Sequence, residues 1–183
     1  MKAKILGTLL ACTIAAGCSS HAMETNPMVG GATMYQTKNI VENAVNSKDH
    51  TTLVAAVKAA DLVGTLQSPG PFTVFAPTNA AFDKLPAGTV DTLVKPENKA
   101  MLTSVLTYHV VSGTLDAKAL MADIKAGGGK AELTTVNGEK LTVMEMGKTI
   151  SITDAKGGVS HVTIADVRQS NGIIHVVDTV LHP

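Results

Sequence analysis

The spacing of apolar residues changes partway along this chain of 183 residues. In the runs 40–45, 53–60 and 97–107, apolar side chains recur every three to four positions, which is typical of amphipathic helices. Beyond Val111 the period shortens toward two, which indicates strands. Helices first and a largely antiparallel sheet second predict an α+β fold.

A strand is predicted within the helical part. Phe72–Phe75 is rich in β-forming residues and is followed by Pro77. Thr78 then stands where a short helix over 79–85 begins, and its side chain and that of Asn79 suit the unpaired N–H groups of a strand-to-helix turn. We expect structural roles for both residues. The later helix over 97–107 is expected to turn four residues inward: Met101, Leu102, Val105 and Leu106.

The second part of the chain carries two strong strand signals. The pair Asn137-Gly138 stands between strand-like segments at 132–136 and 140–145, which predicts a β-hairpin. A shorter helix around 116–124 precedes it. The run 173–178 is apolar apart from His175 and its last residue, Asp178, and such a run is typical of a strand covered on both faces.

His175 has two possible roles. An imidazole near Asp178 could act as a base or a metal ligand. A single histidine in an apolar strand is more often a neutral core residue that donates one hydrogen bond and accepts another, and we favour that structural role.

Residues 1–17 have the features of an export signal. Lys2 and Lys4 precede an apolar run that is too short for a membrane span of roughly 20 residues but suits a signal peptide. The following Ile-Ala-Ala-Gly-Cys-Ser-Ser resembles the lipobox of bacterial lipoproteins, which implies a lipid on Cys18 and, from Ser19, sorting to the outer membrane. The alternative is an ordinary signal peptide cut after Ala22, leaving a soluble periplasmic or secreted protein.

Residues 18–36 show no apolar period and contain Pro27, Gly30 and Gly31. They are predicted to form a flexible tether between the lipid and a domain over 37–183. The two cysteines of the chain are Cys12 and Cys18, and Cys12 would leave with the signal. No disulfide can then form within the mature chain, so the domain must be held by its own core.

Composition argues against several classes of function. Lys+Arg and Asp+Glu both number 15, so the chain has no excess of positive charge to bind a phosphate backbone. Aromatic residues make up 3% of the chain, so few rings are available for bases to stack on. We expect no nucleic-acid partner. The six histidines lack zinc-site spacing, and G-x-S-x-G, H-E-x-x-H and Walker patterns are missing. We therefore expect no enzyme activity, metal or cofactor.

Three blocks together resemble a fasciclin domain: Thr-Val-Phe-Ala-Pro-Thr-Asn-Ala-Ala-Phe at 73–82, Leu-Thr-Tyr-His-Val-Val at 106–111, and Asn-Gly-Ile-Ile-His-Val-Val-Asp-Thr-Val-Leu at 171–181. The resemblance covers roughly 37–183 and is closest to single-domain bacterial members. Ala80 departs from the acidic residue frequent at its position. The resemblance implies a wedge of β-strands with helices packed along it, used outside the cell for adhesion or protein interaction.

The same resemblance makes Tyr108 and His109 candidate partner contacts, since they match an element proposed to contact integrins in animal relatives. Packing inside the domain is the alternative for both. We expect a non-enzymatic module in the cell envelope, anchored by lipid, that binds a surface, matrix polymer or host protein.

The alternative function is a periplasmic protein that captures a small apolar ligand between helices and sheet. A pocket of roughly several hundred Å³ lined by Leu, Val and Met would favour ligand capture. A solid core with an exposed apolar patch would favour adhesion.

Overall fold

A computed structural model describes residues 26–147 and 149–183 of the chain. The predicted export signal at 1–17 and the proposed lipid site Cys18 lie outside the described residues. None of the helices in the described ranges is long and apolar enough to cross a membrane.

The described residues form seven α-helices, most of them short. Two 3₁₀ turns, Lys48–His50 and Pro96–Asn98, lead directly into the second and the sixth helix. The bounds are α1 Ile40–Ala44, α2 Thr51–Ala59, α3 Val63–Gln67, α4 Asn79–Asp83, α5 Thr89–Leu93, α6 Lys99–Tyr108 and α7 Ala117–Ala126.

Nine strands complete the described fold. Their bounds are β1 Met28–Val29, β2 Ala32–Thr33, β3 Phe72–Pro77, β4 Val110–Ser112, β5 Lys130–Thr134, β6 Lys140–Met146, β7 Thr149–Thr153, β8 Val159–Gln169 and β9 Gly172–Val177. Strands β1 and β2 form a separate hairpin. The other seven form one sheet in the order β4-β3-β9-β8-β7-β6-β5.

The sheet is mixed and nearly closes on itself. Strands β3 and β9 run parallel, with Phe72 opposite Gly172, whereas the other neighbouring pairs are antiparallel. The two end strands also approach each other, because the Val136 N–H donates to the Val110 carbonyl at 2.8 Å. The predicted α+β class is confirmed. Five of the six neighbouring pairs are antiparallel, but the parallel pair makes the sheet mixed, and its shape is nearly a barrel where a wedge was expected.

Local sequence signals account for several elements. The Asn137-Gly138 pair connects β5 to β6 as predicted, with Gly138 at φ +90°, a left-handed conformation that suits glycine. Thr78 begins α4, and its hydroxyl accepts a hydrogen bond from the Ala81 N–H at 3.3 Å.

Strands β3 and β9 separate two hydrophobic cores. Because successive side chains of a strand point to opposite faces, Val74 and Val176 pack against helices α1–α6, whereas Phe75 and Val177 pack into a second core closed by α7. The predicted covering of β9 on both faces is confirmed. This double burial fixes the register of the two parallel strands.

The predicted tether is wrong for residues 26–36, which belong to the packed domain. Val29 and Met34 are both only 2% exposed and lie in the first core. Gly30, at φ +59°, lets the β1–β2 hairpin approach the turn before α2, where its carbonyl accepts from the Lys48 N–H at 3.2 Å. The sequence did not reveal this packing, because two buried side chains in so short a hairpin are too few to form a periodic pattern of apolar residues.

The expected inward position of Met101 is also wrong. Its side chain is 59% exposed, whereas Leu102, Val105 and Leu106 of the same helix are buried. Met101 lies in the first turn of α6, where its neighbours Lys99 and Ala100 are exposed as well.

Candidate functional site

Tyr108 lies at the end of α6 and is fully buried. Its hydroxyl donates to the Lys140 carbonyl at 3.0 Å and accepts from the Ala155 N–H at 3.0 Å. The phenol thus connects helix α6 to strand β6 and to the turn between β7 and β8. A buried hydroxyl with both partners supplied by backbone is a structural contact.

His109 follows Tyr108 and is 2% exposed. Its Nδ1 lies 2.8 Å from the Val105 carbonyl, and the Leu181 N–H donates to its Nε2 at 3.0 Å. A carbonyl can only accept and an N–H can only donate, so the proton is assigned to Nδ1 and the ring is neutral. Burial lowers the pKa of His109 to about 4, against the opposing effect of the Val105 carbonyl.

These positions contradict the expectation that Tyr108 and His109 contact a partner. Both side chains are enclosed, and their polar atoms are bonded to backbone inside the domain. The reason is that the end of α6 is covered by the sheet on one side and by the C-terminal segment on the other. The alternative of internal packing is what the structure shows.

His175 is fully buried in β9 and stacks on Phe75, with ring centroids 5.7 Å apart. Its Nε2–H donates to the Leu115 carbonyl at 2.7 Å, and its Nδ1 accepts a longer bond, 3.4 Å, from the Asp166 N–H. Burial lowers the pKa of His175, so this ring is also neutral. Asp178 lies elsewhere, where its carboxylate accepts from the His161 N–H at 2.8 Å.

Asn79 connects two helices. Its Oδ1 accepts from the Thr51 hydroxyl at 3.2 Å and from the Thr52 N–H at 3.1 Å, and its Nδ2 donates to the Lys48 carbonyl at 2.8 Å. The first turn of α2 is thereby capped by a side chain from the start of α4. Asn79 therefore caps the start of α2, and Thr78 caps the start of α4.

Sequence reasoning missed two residues with similar roles. Asn171 donates to the Leu66 carbonyl at 2.7 Å and accepts from the Ile40 N–H at 3.1 Å. Asp154 accepts from the Gly158 N–H at 2.7 Å and from the His182 N–H at 3.0 Å. Asn171 could have been found from its place at the start of the third sequence block. Asp154 had no such signal, because an aspartate near Gly157 indicates only a turn.

An apolar cavity of about 60 Å³ lies in the first core, between the helices and strands β3 and β9. Its walls come from the β1–β2 hairpin, α1, α2, α3, α6 and the sheet, and include Val29, Met34, Ile40, Leu53, Leu66 and Ile174. A preformed small-molecule pocket usually measures roughly 300–1,000 Å³, so this space is much smaller.

Two histidines reach the cavity wall, and they differ in their partners. Both ring nitrogens of His109 are bonded to backbone, as described above. His50 is 3% exposed, and its Nδ1 lies 2.9 Å from the Ser47 hydroxyl, but its Nε2 is buried without a hydrogen-bond partner among the described residues. Burial lowers the pKa of His50, against smaller opposing effects of the Ala76 carbonyl and Asp49.

The described ranges contain no cluster of three or more His, Cys, Asp or Glu side chains that could hold a metal ion.

Comparison with known proteins identifies relatives over most of the chain. The family model of the fasciclin domain matches residues 48–183. The Synechocystis protein sll1483 is 43% identical over 98% of this chain and 92% of its own length. The immunogenic protein MPB70 of Mycobacterium bovis is 35% identical over 91% and 80%, and the cell surface glycolipoprotein MPB83 of the same species is 34% identical over 93% and 72%.

A solved structure shows the same fold. It is a FAS1 domain pair from the insect cell adhesion molecule fasciclin I, with a TM-score of 0.70 at 20% identity over 80% of this chain. The chain spans 51% of that two-domain structure, which corresponds to about one of its two domains.

Proposed function

Because this chain belongs to the fasciclin domain family, we propose that it is a non-enzymatic, adhesion-type module of the cell surface. Its motif residues hold the fold, and its outer surface makes the contacts. One observation carries the proposal: the buried side chains of the blocks, Tyr108, His109 and His175, direct their hydrogen bonds to backbone inside the domain. None of these three side chains is presented to a substrate or to a partner in this structure.

The burial and hydrogen bonding of the two motif histidines support a function without catalysis. A general base must reach the proton of a substrate, directly or through one water. Each ring of His109 and His175 is buried, neutral and bonded at both nitrogens. Neither ring has a free nitrogen for proton transfer.

The relatives support a surface location. MPB83 is named a cell surface glycolipoprotein, and the insect structure comes from a cell adhesion molecule. We propose that this chain is exported and held in the bacterial envelope by a lipid on Cys18, on the outer membrane. Its partner is an envelope, matrix or host-surface protein or polymer. Because weak contacts gain strength when many copies share one membrane, modest affinity per domain is sufficient.

Adhesion can be tested with beads that carry the full chain at two densities, flowed over surfaces coated with envelope polysaccharide or matrix protein. Retention should rise steeply with density. Exposed apolar residues on different elements provide variants to map the contact face: Met28→Glu on β1, Met101→Glu on α6 and Met146→Glu on β6. Leu141→Met, a volume-conserving change at a fully buried position, is the interior control and should keep full retention. Retention equal to that of bare beads on every coating would refute the adhesion function.

Anchoring has its own test. Replacing Cys18 by Ala should move the protein from the membrane fraction to the soluble fraction of cells that express it. If the wild-type protein is already in the soluble fraction and the substitution changes nothing, cleavage after Ala22 and a soluble periplasmic or secreted protein become the better account.

Capture of a small apolar ligand between helices and sheet is the second candidate function. The cavity supports it through its apolar walls, although its volume of about 60 Å³ requires the helices to move apart before a ligand of ordinary size can enter. Titration of the full chain with an alkane, followed by protein NMR shifts of Leu53 and Ile174, tests this candidate. Shifts confined to residues away from the cavity would exclude it.

A further inference from the structure

We infer that Asn137, in the turn between β5 and β6, is a site of spontaneous covalent modification, at which its side-chain amide is converted to a carboxylate through a cyclic imide. The chain has two Asn-Gly pairs, Asn137-Gly138 and Asn171-Gly172. The structure places the two pairs in opposite environments, and the first is the one that is open to this reaction.

The reaction needs water and no other reagent. The backbone nitrogen of Gly138 attacks the side-chain carbonyl carbon of Asn137, and the new C–N bond closes a five-membered imide ring. The bond from that carbon to Nδ2 breaks, and the NH₂ group leaves with the proton of the attacking nitrogen as ammonia. Water then opens the ring at either carbonyl, which gives aspartate or isoaspartate. Glycine favours the attack, because no Cβ crowds its nitrogen and its backbone turns freely.

The turn exposes Asn137 and activates its side chain. Gly138 and Glu139 are exposed and Asn137 is partly exposed, so water reaches the amide. The Glu139 N–H donates to Oδ1 of Asn137 at 3.0 Å, which folds the side chain back along the segment that holds the Gly138 nitrogen. This bond and a contact from the Thr135 hydroxyl draw electron density toward Oδ1. Both therefore favour attack on the carbonyl carbon.

One hydrogen bond slows the reaction in the folded chain. The Gly138 N–H donates to the Thr135 carbonyl at 3.0 Å, and this bond has to open before the nitrogen can attack. Exposed turns open locally at a much lower free energy than core strands. Conversion of Asn137 in the folded chain should therefore be about 10–100-fold slower than in the unfolded chain.

Asn171 is held in place by three backbone groups. Its Nδ2 donates to the Leu66 carbonyl at 2.7 Å and to the Ser68 carbonyl at 3.1 Å, and its Oδ1 accepts from the Ile40 N–H at 3.1 Å. Gly172 is paired with both neighbouring strands, β3 and β8. Attack at Asn171 requires these contacts to separate, which is close to unfolding of the domain.

The position of Asn137 gives its modification a structural consequence. The turn is closed by the bond from the Thr135 N–H to the Glu139 carbonyl at 2.9 Å, and it adjoins the bond between Val136 and Val110 that joins the end strands of the sheet. Isoaspartate adds a methylene group to the main chain inside this closed turn, so it should loosen both bonds. Aspartate leaves the main chain unchanged and keeps an oxygen in place of Oδ1, so it should preserve them.

The test compares the two Asn-Gly pairs within one molecule. The full chain is kept in mildly alkaline buffer, once folded and once in concentrated guanidinium chloride. Peptides from samples taken over time are analysed by mass spectrometry with separation of aspartate from isoaspartate. The two pairs should react at similar rates in the denaturant. In the folded chain, Asn137 should convert at least about tenfold faster than Asn171.

Two variants locate the effect. Asn137→Gln lengthens the side chain, so that attack would have to close a six-membered ring, and conversion at this position should become negligible while Asn171 is unaffected. Asn137→Asp reproduces the aspartate product. Hydrogen exchange of the Val136 N–H, followed by NMR, should be the same in Asn137→Asp as in fresh wild-type chain and faster in aged wild-type chain that contains isoaspartate.

Three outcomes would overturn the inference. Conversion of Asn137 in the folded chain that is slower than the expected range would mean that the turn protects the pair. Equal rates at Asn137 and Asn171 in the folded chain would mean that exposure of the turn does not select the site. A mass change in Asn137→Gln as fast as in the wild-type chain would place the reaction at another residue.

Discussion

The backbone N–H of Leu181 donates a hydrogen bond to Nε2 of His109 at 3.0 Å, across 72 residues of sequence. This bond attaches the C-terminal segment to the end of α6, and it requires a neutral imidazole because a protonated ring has no acceptor nitrogen. Protonation of His109 must therefore break the contact with Leu181.

A loss of stability in mild acid follows from His109. Burial lowers its pKa to about 4 from 6.5, so the unfolded chain takes up the proton first. The neutral His109 ring contributes about 3 kcal/mol to the free energy of unfolding. This contribution is fully present above pH 6.5 and is lost as the pH falls toward 4. His50 and His175, whose pKa values burial also lowers, act in the same direction.

Urea unfolding between pH 7.5 and 4 measures this dependence. His109→Gln should flatten the pH dependence of the unfolding free energy, whatever its effect at pH 7.5. Leu181→Met, a volume-conserving change at a buried residue beside the same ring, removes no titratable group, so it is the control and should leave the dependence unchanged. An unchanged slope in His109→Gln would contradict the assignment of the neutral ring.

Tyr108→Phe should destabilise the domain by about 1–3 kcal/mol, because it leaves the Lys140 carbonyl and the Ala155 N–H without their partner. The chain has two tyrosines, and the other, Tyr35, is 45% exposed. Tyr35→Phe should change the unfolding free energy by no more than about 0.5 kcal/mol. Equal effects of the two substitutions, measured by urea unfolding, would show that the buried phenol is not the connection described.

Two aspartates with positive φ should respond oppositely to glycine. Asp61 has φ +60° and a side chain 88% exposed, so Asp61→Gly relieves backbone strain and should stabilise by about 0.5 kcal/mol. Asp166 has φ +58°, but its carboxylate accepts from the Ala117 N–H at 2.7 Å at the start of α7. Asp166→Gly removes this acceptor and should destabilise by about 1 kcal/mol. Thermal unfolding of both variants and of Asp166→Asn, which keeps the acceptor, provides the comparison.

The position of the β1–β2 hairpin can be tested with adjacent glycines. Both Gly30 and Gly31 have positive φ, so alanine is strained at either position. A Cβ at Gly30 would also lie 2.6 Å from the Asp49 amide nitrogen and against the Ser47 side chain, whereas at Gly31 it meets open space. Gly30→Ala should therefore cost about 2 kcal/mol more than Gly31→Ala. A flexible segment at 26–36 would give equal, negligible costs in chemical unfolding.

The features that depend on local sequence were predictable. The three-to-four spacing in α2 and α6, the Asn-Gly turn between β5 and β6, and the cap at Thr78 all act within a few residues. The parallel pairing of β3 with β9 was not predictable in this way, because it joins segments about 100 residues apart and no local signal distinguishes parallel from antiparallel partners.

The candidate site was harder to predict than the fold. Tyr108 and His109 are polar enough to suit a surface, and their burial depends on backbone groups supplied by Lys140, Ala155 and Leu181, far away in sequence. His50 gave no signal, since a histidine at the start of a helix is ordinary in sequence. Its missing partner and its place on the cavity wall exist only once the hairpin, α2 and the sheet come together.

The approach of the two end strands of the sheet has a consequence for the display in many copies proposed above. Val111 of β4 bridges to Thr135 just beyond β5, beside the bond between Val136 and Val110. Backbone groups that would otherwise form an open edge, and could template pairing with a neighbouring molecule, are used within the chain. The crowding that the proposed membrane anchor would produce would therefore raise the local concentration of the domain with less risk of aggregation through strand addition.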